Sequence, residues 1–172
     1  SEGINNPMGI CTTFSGTLAA GDPTLPGGRM FRDGIISTCA APKAVCPGTS
    51  GGAGNWYDTY TFVNPSASAQ CITVDFTNTS ANTFAHFASA HTGSFNPANV
   101  CTNYLADQGG SAAAGATTQF SFTLPGSGTV VLAVTSVTVG TGGTYSMDVS
   151  APVGCGAAPP CSWSASTIYP IN

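Results

Sequence analysis

The amino-acid sequence predicts an all-β domain, an antiparallel β-sandwich. Three observations carry this. First, residues 119–150, QFSFTLPGSGTVVLAVTSVTVGTGGTYSMDVS, read as three strands joined by two turns. Phe120, Phe122 and Leu124 recur at every second residue, as do Val130, Leu132 and Val134, then Tyr145, Met147 and Val149. Each strand therefore has one apolar face. Second, the 172 residues include 22 glycines and 12 prolines, which turn the chain often and leave little room for long helices. Third, short apolar segments return at regular spacing with turn signals between them.

In chain order, residues 1–10 are a polar, irregular N-terminal arm with a turn at Asn6-Pro7. The sandwich is expected over residues 11–151, and its first strand is CTTFSGTL, residues 11–18. Residues 21–28 form a loop rich in proline and glycine. Asp33-Gly34 lies between two short apolar runs, which signals a hairpin within residues 30–39. A long loop covers residues 40–55. NWYDTYTFV, residues 55–63, is a strand with Trp56, Tyr60 and Phe62 on one parity, ended by Asn64-Pro65. Residues 71–77 form the next strand, with Ile72, Val74 and Phe76 inward. Residues 83–90 are apolar without a clear parity. A loop follows over 92–99, then a short strand over 100–106 and a Gly/Ala loop over 107–116. Past the last three strands, residues 152–172 form a Pro/Gly linker and a C-terminal strand.

Only 6% of the residues are charged, far below the ~25% usual in soluble domains, and Ser, Thr, Ala, Gly and Asn make up the polar surface instead. A net charge of −4 with three basic residues leaves no basic stripe for nucleic acid and no polybasic attraction to anionic lipid. No apolar run approaches the roughly 20 residues of a membrane span. The chain opens on Ser1, which reads as a processed, mature form. Seven cysteines at spacings that fit no common zinc pattern point to an oxidising, extracellular setting. The expected disulfides are Cys155–Cys161, closing a small loop around Pro159-Pro160, Cys71–Cys101 and Cys11–Cys39, with Cys46 left over.

The succession WYDTYTF, CITVDF, TFAHFASA, TQFSFTLPGSGTVVLAVTS and GGTYSMDVS resembles the bacterial pre-peptidase C-terminal domain. Tyr60 with Phe62, the turn at Leu124-Pro125-Gly126 and the strand of Tyr145 carry the resemblance, which covers about residues 56–150. It implies a jelly-roll-like sandwich carried on a secreted protein. Some members bind calcium or extracellular polymers. The family often has acidic residues in the strand that corresponds here to residues 84–89, where this chain has none. No cofactor is therefore expected, calcium being the one ion the resemblance leaves open.

Several residue patterns compete as sites. Gly48-Thr49-Ser50-Gly51-Gly52 has the form of a nucleophile elbow, but that motif needs a strand before it and a helix after it. A flexible loop is the expectation, and no enzyme. His86 and His91, five residues apart, could share a metal only across a bend; a structural histidine is the simpler reading. Asn55 and Asp58 could join a shell of calcium oxygens or cap a turn. Trp56, Tyr57, Trp163 and Tyr169 could stack on a sugar or pack in a core or interface. Asn78-Thr79-Ser80 fits the glycosylation sequon.

The tail CSWSASTIYPIN, residues 161–172, alternates. Trp163, Ala165, Thr167, Tyr169 and Ile171 share one parity, with Ser162, Ser164 and Ser166 on the other. This is the pattern of a strand with one buried face, set beyond the recognisable domain behind a Pro-Pro step. It predicts a subunit interface in which the tail is exchanged between copies, giving a filament or surface assembly that is a homopolymer of this chain. The N-terminal arm could be exchanged instead but does not alternate, and the tail could also pack as an edge strand on its own subunit. The other reading of the whole is a secreted accessory module that binds polysaccharide or matrix protein.

Overall fold

The computed structural model describes residues 9–152, and no helix occurs among them. Two antiparallel sheets pack face to face. One has four strands in the order β1 (Gly9–Leu18), β11 (Gly143–Ala151), β6 (Gln70–Asn78) and β9 (Thr117–Leu124). The other has five: β2 (Thr24–Leu25), β5 (Asn55–Val63), β10 (Thr129–Ser136), β7 (His86–Thr92) and β8 (Tyr104–Asp107). A small ribbon joins β3 (Arg29–Met30) and β4 (Thr49–Ser50). The sandwich predicted from period-two alternation is thus the observed fold. Residues 1–8 and 153–172 lie outside the described residues, while Gly9 and Ile10, expected in the N-terminal arm, open β1.

Register follows from the apolar parity, because a one-residue slip would turn every inward side chain to solvent. Val74 pairs with Phe120 on one side and Val149 on the other, and Phe76 pairs with Met147. These side chains meet Val130, Leu132 and Val134 of β10 in one core, to which Ile72, Phe122, Leu124 and Tyr145 also belong. A bulge between Ile10 and Thr12 places Cys11 out of step with β11.

The five-stranded sheet is covered on its outer face as well. Leu25, Met30, Phe87 and Val100 form a second core there, with Tyr57, Phe95 and Tyr104 packed against it. Every residue of β7 from His86 to His91 is buried, which is why its sequence shows no parity. β10 is buried on both faces for the same reason.

Asp33-Gly34 does not turn a hairpin. Asp33 Oδ1 accepts the Ile35 N–H, and the Gly34 N–H reaches across to the Gly109 carbonyl, so this stretch runs as a strap along the sheet edges. The strap overturns two expected disulfides. Cys39 bonds Cys71 with Cα atoms 5.9 Å apart, and Cys46 bonds Cys101 at 5.5 Å. Cys71 lies on β6 of one sheet, whereas Cys101 precedes β8 on the far side of the other. Sheets ~10 Å apart put that pair beyond disulfide reach. Cys11–Cys39 fails similarly, because β11 and β6 stand between β1 and the β9 edge that Cys39 crosses. Cys11 is itself disulfide-bonded, and Cys46 is not left over. Cys155 and Cys161 lie outside the described residues.

Candidate functional site

A two-sheet sandwich has two seams where edge strands of the sheets face each other. Here the strap closes one of them, between β8 and β9. The Ser37 N–H donates to the Asp107 carbonyl at 3.1 Å, and the Ser121 N–H donates to the Ser37 carbonyl at 2.9 Å. One residue therefore bonds both sheets. Ser37 Oγ also accepts the Asp107 N–H, and Ser121 Oγ accepts the Cys39 N–H.

Charge reinforces the closure. Lys43, the one lysine of the chain, donates to Asp33 Oδ1 at 2.9 Å and to Asp107 Oδ2 at 2.8 Å, with its side chain only 10% exposed. The Asp107 carboxylate is fully buried and also accepts the Tyr104 hydroxyl and the Gly109 N–H. Both oxygens of this buried carboxylate therefore have hydrogen-bond partners. Burial and the bond to Asp107 hold the Tyr104 hydroxyl proton well above the usual phenol range. Arg29 and Arg32 are also engaged, on the Val137 and Met30 carbonyls and on Ser111 Oγ. Sequence reasoning missed this network, because its members are 10 and 64 residues apart. A single lysine in a nearly uncharged chain was the available signal.

The opposite seam, between β1 and β5, is built differently. β2 pairs only with Asn55 and Trp56, and the Tyr57 N–H donates to the Pro23 carbonyl. Backbone groups alternate sides along a strand, so the N–H and C=O of Thr59, Thr61 and Val63 point to the same outer edge as those of Tyr57. Among the described residues no strand pairs with that stretch. All three side chains are exposed. Inside the seam Phe14, Trp56 and Tyr60 pack against the core but stay half-buried, as does Cys11.

A hydrogen-bonded chain crosses this seam. The Tyr145 hydroxyl donates to Asp58 Oδ2 at 2.5 Å, so it accepts from the Tyr60 hydroxyl at 2.7 Å. The Tyr60 oxygen, its proton given to Tyr145, stands 3.3 Å from the Ser15 carbonyl on β1, and its ring stacks on Phe14 with centroids 4.9 Å apart. Burial raises the pKa of the Asp58 carboxyl, and the Tyr145 hydroxyl partly offsets this. Burial, then Asp58, push the Tyr145 proton far above the phenol range. A Cβ on Gly16 would collide with both tyrosine hydroxyls, so the close approach of β1 requires glycine there.

The other patterns fall out one by one. Ser50 sits in the β3–β4 ribbon, and both histidines are engaged elsewhere, on Ser80 and Ser89. Ser80 does not give its proton to His86, and Ser89, which does donate to His91, is buried with it away from any substrate. The Ser80 hydroxyl donates to the Thr144 carbonyl, so its oxygen accepts from His86 Nε2. His91 Nδ1 faces the Thr102 carbonyl and must carry the proton, leaving Nε2 to accept from Ser89; both residues are buried. Asn55 and Asp58 fall on opposite parities of β5, Asn55 buried against the Ser136 and Val137 carbonyls and Asp58 beside Tyr145, so they do not face a common site. Among the described residues no three His, Cys, Asp or Glu side chains gather as metal ligands.

Asn78 corrects the glycosylation expectation. It is fully buried, with Nδ2 donating to the Phe84 and Ala112 carbonyls and Oδ1 accepting the Ser80 N–H, so the folded domain presents no amide for a glycan. Trp56 and Tyr57 lie on opposite faces, Trp56 in the seam and Tyr57 against Phe95, so they make no shared platform. Trp163, Ala165, Thr167, Tyr169 and Ile171 lie outside the described residues.

No protein-family model and no curated protein matches the sequence. Several solved structures resemble it. The pre-peptidase C-terminal domain of a collagenase from Bacillus anthracis is 20% identical, with a TM-score of 0.45 over 82% of this chain and 90% of that one. A mitogen derived from Yersinia pseudotuberculosis is 12% identical, with a TM-score of 0.28 over 55% of this chain and 84% of that one. A structure of infectious bursal disease virus, Gx strain, is 15% identical, with a TM-score of 0.35 over 83% of this chain and 33% of that one. The first belongs to the family that the sequence itself resembles.

Proposed function

We propose that this protein is a secreted, non-enzymatic structural subunit that polymerises outside the cell by β-strand exchange. The observation that carries the reading is the asymmetry of the two seams. One is closed by a strap, two disulfides and a buried ion pair, while the other leaves backbone groups and half-buried aromatic rings at an edge. Such an edge is a template for another strand, and proteins that keep one open have a use for it. The alternating tail supplies a strand of matching character. Disulfides within the described residues support an oxidising location. The burial of both Ser–His pairs supports the absence of hydrolytic chemistry.

Deleting residues 162–172 tests the reading. The truncated chain keeps every strand of both sheets and is expected to stay monomeric in light scattering and electron microscopy under conditions where the full chain forms filaments. Assembly of the truncated chain like the parent would sink the proposal. Binding of polysaccharide or matrix protein by a monodisperse full-length monomer would favour the accessory-module reading.

A further inference from the structure

We infer that the acceptor of the exchanged strand is the outer edge of β5, at Thr59, Thr61 and Val63, and that its occupant is the tail, residues 161–172, of a second copy. This rests on the strand-exchange reading and adds the site and the partner. β5 is nine residues long, yet its row of the sheet holds only the two residues of β2. A strand laid end to end with β2 completes the row and pairs the three N–H and three C=O groups left at Thr59, Thr61 and Val63. Its inward side chains meet the half-buried faces of Trp56, Tyr60 and Phe14.

β1 is the poorer acceptor. It carries the bulge at Cys11, and the Tyr60 oxygen already stands 3.3 Å from its Ser15 carbonyl. The strand closing the other seam is blocked too, because the strap takes the Ser121 N–H of β9 and the Asp107 carbonyl of β8.

The described residues end on the β1 side of this seam. β11 ends at Ala151, which pairs with Gly9 at the start of β1. Twenty residues follow Pro152, and the tail occupies the last twelve. The spacer, residues 152–160, holds three prolines, two of them immediately before the tail. Stretched, its nine residues reach about 30 Å. A return to the same molecule's β5 crosses one gap between sheets, about 10 Å, for which loops of 2–6 residues serve. Counted by sequence, the spacer is longer than such a return needs.

The test is a complementation between two variants. Thr61→Pro removes an outward N–H and places a ring in the path of an incoming strand. It spares the bonds to β10, which come from Asp58, Tyr60 and Phe62. This variant keeps its tail but loses its acceptor, and the chain lacking residues 162–172 keeps the acceptor but loses the tail. Each is expected to be monomeric, and a 1:1 mixture is expected to give a complex of two chains and nothing larger. Full-length Thr61→Pro that still polymerises, beside a monomeric truncated chain, would overturn the β5 assignment and leave strand exchange standing. A mixture that stays monomeric would also overturn it, and so would a full chain shown to bury its own tail. Should Thr61→Pro fail to fold, amide exchange in the unmodified chain decides. The Thr59, Thr61 and Val63 amides are expected to exchange at least ~100-fold more slowly in the assembly than in the truncated monomer. Equal rates would refute the site.

Discussion

His91, buried, and Asp58, half-buried, are two titratable groups that pull stability in opposite directions with pH. Burial lowers the pKa of His91 to about 4, and the bond to the Thr102 carbonyl only partly offsets this. Between the unfolded value of about 6.5 and about 4, the unfolded chain holds a proton that the folded one refuses, so stability falls as pH falls. The loss approaches ~3 kcal/mol at the bottom of that window. Asp58 works the other way. Its raised pKa stabilises the fold at low pH, and that contribution is lost as pH rises through the folded value. Solvent reaches Asp58, so its effect is the smaller one. Chemical denaturation from pH 7 to pH 4 is expected to show declining stability, with a shallower decline in His91→Gln. An identical slope in the variant would mean that His91 does not govern the loss. Beside Asp58, Gly16→Ala drives a methyl group into the Tyr60 and Tyr145 hydroxyls. It is expected to cost about 1–3 kcal/mol by overpacking, read as a lower urea midpoint at unchanged slope.

Among the elements, the strap of residues 31–46 does what no strand does and binds both sheets. It contains almost no apolar pattern, so the sequence offers no period by which to place it. Its anchors, Ser37, Lys43, Cys39 and Cys46, all reach residues far along the chain. Strands β5, β6, β9 and β11 were legible because one apolar face leaves a period of two in the sequence, and β10, though buried on both faces, keeps large apolar residues at Val130, Leu132 and Val134. β7 was not, since its two buried faces mix large, small, polar and apolar side chains without alternation. The disulfides were illegible for a related reason: pairing depends on which edge the strap crosses, and spacing does not encode that. Replacing Cys39 and Cys71 together by serine removes a constraint spanning 32 residues. Chain entropy puts its contribution at up to about 4 kcal/mol. The double variant is expected to unfold at lower denaturant and to exchange its Ser121 amide faster. If the Ser121 amide stays as protected as before, the strap does not depend on this bond.

Across the whole molecule, the sandwich was visible in the sequence, while the difference between its two seams was not. An edge strand and a central strand share the same alternation, and only the topology tells which has a neighbour. Tyr60 shows this well: its parity marked it as inward, but nothing in NWYDTYTFV says that it stands at an unpaired margin. The tail, residues 161–172, alternates in sequence as a strand would, and it lies outside the described residues.

The engagement of the basic side chains has a consequence for digestion. Arg29, Arg32 and Lys43 are the only sites at which a trypsin-like protease can cut, and all three side chains are bonded within or beside the strap. A protease must seat an extended segment with its basic side chain free, so cleavage here waits on local opening. The piece released between Arg32 and Lys43 would still be joined to the rest through Cys39 and Cys71. From Ala44 to Asn172 the sequence offers such an enzyme no site, so the fragments stay few and the two sheets from β5 onward stay uncut.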